Sequence, residues 1–429
     1  MQSQWSRRQL LRTATAIPLA SIGATLIADR VPAAATASQS GATPAASPLP
    51  GNRIATRDFT VNLGDFTTKV QLTYPAAATT SAKRFPTIVL FHGTGPSDMD
   101  FTFTDPTTGK VTSTIFRDIA TYLPTQGVAV ARFNKHYING PHDREGAAKY
   151  FANMTLARLR DDGEKVLAAV QQLPEVDSSR IALYGWSEGS VVASALAARN
   201  PEMAGVTLQG VVPGGWAETF RYQWDLAILY LQTVVDANAD GMLTLDELKM
   251  LIEKPYSVLR WNAEFLTLDP NSSPQAPKIS SRIDADHDGK ISINGELEPA
   301  VDGILKNFDS TFPFYAGANA LPTVEESLTQ GQLPVLLLQG DNDANVDPAG
   351  ADDVAHVISH AGNANVAVLH FPGLGHSLGP AKTVADDAFM PITQQPLADL
   401  AKWMGNLPAK TSGTTPRATP VASPAATPV

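Results

Sequence analysis

The feature that most constrains this chain is an apolar run that ends in Gly-x-Ser-x-Gly at residues 181–189, followed directly by a helix-forming run at 191–199. A strand, a tight turn and a helix in this order form a nucleophile elbow. Gly185 and Gly189 are needed because a Cβ at either position would collide with the neighbouring strand or helix. Ser187 is then exposed at the apex of the turn, above a helix N-terminus.

Composition excludes several classes of protein. The formal net charge is −10, and no block rich in Lys and Arg interrupts the chain, which argues against binding to nucleic acid. There is no cysteine, so disulfides, thiolate catalysis and Cys-ligated zinc or iron–sulfur sites are excluded. With 43% hydrophobic residues, the chain can bury at least one large core.

The first 35 residues have the pattern of an export signal. Arg7 and Arg8 resemble the twin-arginine motif, an apolar stretch follows at 16–27, and small residues suited to cleavage stand at 31–35. The apolar stretch is shorter than the roughly 20 residues that a bilayer requires, so no stable membrane span is expected after signal removal. We therefore expect an extracellular, periplasmic or cell-surface protein.

Low-complexity segments flank a catalytic body. Residues 36–54 and 408–429 are rich in Ala, Ser, Thr and Pro, and we expect a disordered linker and a disordered tail. Between them, buried strands alternate with single helices, which predicts a doubly wound, mostly parallel sheet of the α/β class. This core comprises residues 55–215 and 331–407. Residues 216–330, hereafter the insertion, are far too long for a loop and predict an inserted, mainly helical domain.

A catalytic serine needs a base and an orienting carboxylate, which follow such an elbow in the order Ser, Asp, His. Asp343 lies in the turn after the apolar run 333–338 and is the predicted acid, with Asp341 and Asp347 as alternatives. His376 lies in a glycine-flanked loop after the next strand and is the predicted base.

Backbone N–H groups should form the oxyanion hole. One belongs to Glu188, the residue after the nucleophile. The other is expected at Thr94, in the glycine-containing turn that follows the first buried strand.

At these residues the chain resembles serine hydrolases of the α/β-hydrolase fold. His-Gly-Thr-Gly-Pro-Ser-Asp-Met-Asp at 92–100, together with the Ser-Glu-Gly elbow, is similar to motifs of bacterial carboxylesterases. The resemblance to dienelactone-hydrolase-like and prolyl-oligopeptidase-like enzymes is more distant. The resemblance to α/β-hydrolases as a whole covers roughly residues 55–215 and 333–405. It implies catalysis by Ser187, Asp343 and His376. Asn134 departs from it, since that group carries Asp in the corresponding Arg-x-Asp-Lys motif.

The insertion carries a second motif, the twelve-residue EF-hand calcium loop. In the first loop, Gly241 stands at position 6, and ligands are expected at positions 1, 3, 5, 7, 9 and 12. These residues are Asp236, Asn238, Asp240, Met242, Thr244 and Glu247.

A second, less regular loop begins at Asp284 and has Gly295 at its twelfth position. Its candidate ligands are Asp284, Asp286, Asp288, Lys290, Ser292 and, one place late, Glu296. Glu296 can clasp an ion only if the loop bends. EF-hand loops pair across position eight, which predicts that Leu243 lies opposite Ile291.

The sequence thus favours an exported serine hydrolase that cleaves small-molecule esters, with Ca²⁺ bound in the insertion and no cofactor for catalysis. The insertion is expected to form a cap, and the candidate apolar wall residues of its pocket are Trp216, Phe220, Trp224 and Trp261. For at least half of these aromatics, packing in the core of the cap itself is the favoured alternative role. Two alternatives stay open: a peptidase or amidase on the same fold, and a non-catalytic calcium-binding surface module.

Overall fold

The computed structural model of the protein describes residues 54–76, 83–273 and 275–410. The predicted export signal, nearly all of the predicted linker and most of the C-terminal tail lie outside these ranges. No helix within them is long and apolar enough to cross a membrane.

A mostly parallel sheet forms the centre of the molecule. The strands of the described ranges are β1 (Ile54–Asn62), β2 (Thr67–Pro75), β3 (Phe85–Phe91), β4 (Thr102–Thr104), β5 (Val111–Thr114), β6 (Ala129–Phe133), β7 (Val176–Trp186), β8 (Gly205–Gln209), β9 (Met242–Thr244), β10 (Lys290–Ser292), β11 (Val335–Gly340) and β12 (Val366–Phe371). Eight of them form one sheet in the order β1-β2-β6-β3-β7-β8-β11-β12. β2 pairs antiparallel with β1 and β6, and every other pair is parallel.

Helices cover this sheet and build the insertion. In the described ranges they are α1 (Ile115–Tyr122), α2 (Arg144–Asn153), α3 (Leu156–Gln171), α4 (Glu188–Arg199), α5 (Trp216–Tyr230), α6 (Leu245–Glu253), α7 (Val258–Thr267), α8 (Glu298–Lys306), α9 (Phe308–Thr311), α10 (Val324–Leu328), α11 (Ala349–His360) and α12 (Gln394–Asn406). The predicted doubly wound α/β class is therefore confirmed.

Burial explains the arrangement of the strands. Every residue of β6, β8 and β11 is buried, as expected for parallel strands covered by helices on both faces. β12, at the edge of the sheet, is only partly buried. Since parallel strands share one carboxyl edge, the loops that follow β7, β11 and β12 lie close together there.

The insertion packs into the same core as the sheet. Its buried residues Trp224, Leu243 and Ile291 belong to one contiguous hydrophobic cluster with Val191 and Leu196 of α4. β9 and β10 form a short antiparallel pair in which Leu243 lies opposite Ile291, as predicted. That the insertion is a separate domain stays a prediction.

The apolar run at residues 224–235 predicts a helix that enters the first calcium loop. The observed helix is longer, because α5 begins at Trp216, and a π-helical turn, Leu231–Val235, follows its last residue. The buried residues Phe220 and Trp224 start the apolar stripe one turn earlier. Beyond residue 407, the predicted end of the core, the N–H of Lys410 donates to Ser179 O of β7 at 2.8 Å.

Candidate active site

The predicted elbow is present between β7 and α4. Ser187 has φ 54° and ψ −121°, a conformation that non-glycine residues rarely adopt and that persists only where the surroundings enforce it. A Cβ on Gly185 would lie 2.2 Å from Gly189 O, and a Cβ on Gly189 would lie 2.2 Å from Phe91 O. These two contacts explain why glycine stands on both sides of the serine.

His376 and Asp343 form the predicted base–acid pair. His376 Nδ1 lies 2.7 Å from Asp343 Oδ2, and the two side chains are 2% and 0% exposed. The other carboxylate oxygen of Asp343 accepts the N–H groups of Asn345 at 2.7 Å and Val346 at 3.0 Å. Because the carboxylate only accepts, it holds the proton on Nδ1 and leaves Nε2 free to act as a base.

Ser187 and His376 line one cavity that is open to solvent. Thr94, which carries one of the two predicted oxyanion N–H groups, lines it as well. Glu188, which carries the other, is the first residue of α4. A Cβ on Gly93 would lie only 3.3 Å from Ser187 Cβ, so the loop after β3 passes directly beside the nucleophile.

The rival carboxylates have other partners. Asp341 Oδ1 accepts from His370 Nδ1 at 2.8 Å in a half-exposed pair. Asp347 accepts the N–H of Ala349 at the start of α11. Of the three candidate carboxylates, only that of Asp343 is hydrogen-bonded to His376.

Hydrogen bonds to its backbone hold the loop that carries His376 in place. The carbonyl oxygen of His376 accepts from Trp186 Nε1 at 3.1 Å and from Gln209 Nε2 at 2.9 Å. A Cβ on Gly210, whose φ is +52°, would lie 2.7 Å from the imidazole ring. The histidine therefore occupies a slot shaped by the ends of β7 and β8.

A second buried acid, Asp387, joins the acid loop to the base loop. One carboxylate oxygen accepts the N–H groups of Ala344 at 3.0 Å and His376 at 3.1 Å. Burial and the nearby charge of Asp343 raise the pKa of Asp387 to about 6. The sequence analysis missed this residue, because no local pattern marks a side chain that bridges two distant loops.

Lys135 and Glu188 form a buried ion pair that the sequence analysis also missed. Lys135 Nζ lies 2.8 Å from Glu188 Oε1, and the side chains are 4% and 0% exposed. Burial raises the pKa of Glu188 and lowers the pKa of Lys135, while their mutual attraction opposes both shifts. The Arg-x-Asn-Lys motif could have pointed to Lys135.

Asn134, which departs from the motif of similar esterases, has a structural role. Its side-chain oxygen accepts the N–H of Met99 at 2.8 Å. Nearby, Asp100 pairs with Arg117 and Arg132. The loop after β3 is therefore held by polar contacts even though Asp is absent at position 134.

Only Trp216 among the four predicted wall residues lines the catalytic cavity. Phe220 and Trp224 pack against Phe312 in an aromatic cluster inside the insertion. Trp261 packs against a second hydrophobic cluster, which includes Tyr256 and Phe389. These three residues therefore take the alternative role of core packing, which apolar spacing along a helix does not distinguish from a pocket wall. The other insertion residues in the wall are Thr219 and Gln223, and the hydrolase core contributes Phe101 and Phe389.

In the first predicted calcium loop, two acidic side chains accept hydrogen bonds from backbone N–H groups of the same loop. Asp236 accepts the N–H of Gly241 at 2.9 Å. Glu247 accepts the N–H of Ala237 at 3.3 Å through Oε1 and the N–H of Thr244 at 2.9 Å through Oε2. The carboxylate of position 12 thus reaches back to positions 2 and 9 of the loop.

The second loop reaches the same arrangement in spite of its extra residue. Glu296 accepts the N–H of Ala285 at 2.7 Å through Oε1 and the N–H of Ser292 at 2.8 Å through Oε2. A π-helical turn, Ile293–Leu297, contains both Gly295 and Glu296. Such a turn accommodates one additional residue, so Glu296 stands where position 12 of the first loop stands.

Three carboxylates of the second loop converge. Asp284, Asp286 and Glu296 each offer an oxygen, and these atoms lie within 4.8 Å of one another. Asp284 is 7% exposed, and its Oδ1 has no hydrogen-bond partner within the described ranges. Hard oxygen donors with an unpartnered buried carboxylate suit a divalent cation such as Ca²⁺.

Comparison with known proteins finds a similar esterase over part of the chain. Esterase EstD of Thermotoga maritima is 33% identical over 117 residues, which are 27% of this chain and 24% of that protein. The chain therefore matches about a quarter of the length of this relative. No family model matches.

Several solved structures are similar at low identity. They include Est1E from Butyrivibrio proteoclasticus (14% identity, TM-score 0.38, 81% of this chain and 95% of that one). Proline iminopeptidase from Mycobacterium smegmatis matches at 15% identity with a TM-score of 0.44, over 81% of this chain and 98% of that one. The acylaminoacyl peptidase of Pyrococcus horikoshii matches at 10% identity with a TM-score of 0.47, over 84% and 43%.

The strand order, the elbow and the chain order of serine, acid and base together define an α/β-hydrolase fold.

Proposed function

We propose that the protein is an exported serine hydrolase that cleaves carboxylic esters through an acyl-enzyme. The observation that carries the proposal is Ser187 at a strained elbow, in one cavity with a histidine that is hydrogen-bonded to buried Asp343. The similarity to an esterase over 117 residues supports ester substrates. Export rests on the sequence of residues 1–35 alone.

The mechanism follows from the positions of these groups. Ser187 Oγ attacks the acyl carbon while His376 Nε2 takes its proton, and the carbonyl oxygen becomes an oxyanion. The N–H groups of Thr94 and Glu188 stabilise that oxyanion. His376 returns the proton to the leaving alcohol, and water then releases the acid by the same route. Asp343 holds the imidazole and stabilises its charged form.

Matched substrates distinguish ester from amide cleavage. We expect turnover of p-nitrophenyl esters with short or medium acyl chains, little turnover of the corresponding p-nitroanilides, and loss of activity in Ser187→Ala. Hydrolysis of the anilides alone would make the protein an amidase. Failure of both substrates, without labelling of Ser187 by a fluorophosphonate, would favour a non-catalytic calcium-binding module.

The two EF-hand-like loops are proposed to bind Ca²⁺ and thereby stabilise the insertion. The support is the equivalent placement of Glu247 and Glu296 and the converging carboxylates of the second loop. Bound Ca²⁺ supplies positive charge that offsets the repulsion among these carboxylates. A structural ion accounts for this geometry without any part in the chemical step.

Chelation is therefore expected to lower thermal stability. At about a hundred times its Kd, Ca²⁺ contributes about 2.7 kcal/mol per occupied site, which corresponds to roughly 3–4 °C in Tm for a chain of this length. We expect the Tm in Ca²⁺ to exceed the Tm in EGTA by this order, as measured by calorimetry.

Variants test which acids are responsible. The Tm difference between Ca²⁺ and EGTA should disappear when Glu247→Gln and Glu296→Gln are combined. It should persist in the control Glu298→Gln, which alters an acid outside the candidate ligand sets. Equal Tm values for the wild-type protein in Ca²⁺ and in EGTA would contradict the calcium proposal.

A further inference from the structure

A buried polar network lies directly behind the two segments that supply the proposed oxyanion hole. Glu188 follows the nucleophile, and its carboxylate pairs with Lys135 at 2.8 Å. Lys135 Nζ also donates to Gly93 O at 2.6 Å, in the residue just before Thr94. Lys135 therefore bonds both to the loop after β3 and to the first residue of α4.

Tyr315 connects the same two segments from the insertion. Its hydroxyl donates to Glu188 Oε2 at 3.2 Å and is also hydrogen-bonded to the side chain of Thr94. Tyr315 is 5% exposed, and its ring stacks on Trp216 with centroids 4.1 Å apart. The ring is thus held by packing, and the hydroxyl contacts both residues whose N–H groups are assigned to the oxyanion.

The two N–H donors lie on segments that are almost a hundred residues apart in the sequence, so the local backbone does not fix the distance between them. Their spacing depends on what ties these segments together, because an oxyanion hole acts only if its donors are preorganised. Lys135 and Tyr315 tie these segments together, one from the sheet and one from the insertion, and both do so through the carboxylate of Glu188.

We propose that Tyr315 and Lys135 are positioning residues that set the separation of the Thr94 and Glu188 N–H groups, so that the insertion completes the oxyanion hole. The inference rests on the proposed function. It gives the insertion a role in the chemical step that is separate from its role as a wall of the cavity.

Tyr315→Phe tests this inference, because it removes the hydroxyl and keeps the ring that packs on Trp216. Removing a whole oxyanion donor costs about 10²–10³ in kcat, so a displaced pair should lose less, about 10- to 50-fold. The readout is the second-order rate of phosphonylation by a fluorophosphonate probe, which needs the oxyanion hole whether the natural substrate is an ester or an amide. On an ester, kcat should fall by a similar factor with KM within about twofold.

Tyr137→Phe is the matched control, since Tyr137 also donates to a carboxylate, that of Asp65, and does not line the catalytic cavity. It should label at the wild-type rate. A Tyr315→Phe protein that labels as fast as wild type, or that loses only Tm, would overturn the inference and leave the esterase proposal intact. A wild-type protein that does not label at all would overturn both.

Lys135→Met is a second variant with a different signature. It removes the positive charge that pairs with the buried carboxylate of Glu188. We therefore expect it to lower the free energy of unfolding as well as the labelling rate. If Lys135→Met folds and labels at the wild-type rate, the tie through Gly93 has no positioning role and the inference fails for this residue.

Discussion

Asp343→Asn is expected to lower kcat by about 10⁴-fold, with KM changed by less than about threefold. The carboxylate accepts a hydrogen bond from His376 Nδ1–H, with Nδ1 and Oδ2 2.7 Å apart, and it has no exposed surface. An amide at this position can present its NH₂ group to Nδ1, which moves the imidazole proton to Nε2 and removes the base. Steady-state kinetics on a p-nitrophenyl ester measures the effect, and calorimetry verifies that the variant is folded.

Asp341→Asn serves as the control. Asp341 lies two residues before Asp343 and also accepts a hydrogen bond from a histidine, His370, at 2.8 Å. Unlike the Asp343–His376 pair, this pair is half-exposed. We expect its kcat within about twofold of wild type, because the pair takes no part in proton transfer. A larger loss in Asp341→Asn than in Asp343→Asn would reverse the assignment of the acid.

Gly189→Ala is expected to destabilise the fold by several kcal/mol, on the order of 3–5. The new Cβ would lie 2.2 Å from Phe91 O and 2.7 Å from His92 O, and both are backbone atoms that cannot swing away. Urea unfolding followed by circular dichroism gives the change in the free energy of unfolding. The elbow must also shift, so any folded fraction should have little activity.

Gly405→Ala is the matched control for that substitution. Gly405 lies in α12, and a Cβ there meets no atom within 4 Å. Alanine is favoured over glycine by about 0.5–1 kcal/mol in a helix interior and by less in the last turn, where Gly405 lies, so the variant should be at least as stable as wild type. If Gly189→Ala were as stable as Gly405→Ala, the close approach of α4 to β3 would be contradicted.

The elbow and the acid–base pair were predictable because each depends on local rules. Glycine is forced on both sides of Ser187 by backbone contacts, and strand ends deliver Asp343 and His376 to one edge of the sheet in a fixed chain order. Apolar runs identified the buried strands for the same reason.

The supporting residues were not predictable in this way. Tyr315 and Glu188 are 127 residues apart, and the bond between them exists only because the insertion folds back onto the core. Asp387 bridges two loops through a single oxygen and leaves no periodic signal. The π-helical turn at Ile293–Leu297 likewise follows from tertiary packing, so the sequence alone left the position of Glu296 open.

The most direct measurement is the site of covalent labelling by a fluorophosphonate, determined by peptide mass spectrometry on the native protein. The account predicts one adduct, on Ser187, which is absent from Ser187→Ala and from heat-denatured protein and is formed much more slowly in Asp343→Asn. An adduct on another residue, or equal labelling of wild type and Ser187→Ala, would contradict the central claim that Ser187 is the nucleophile.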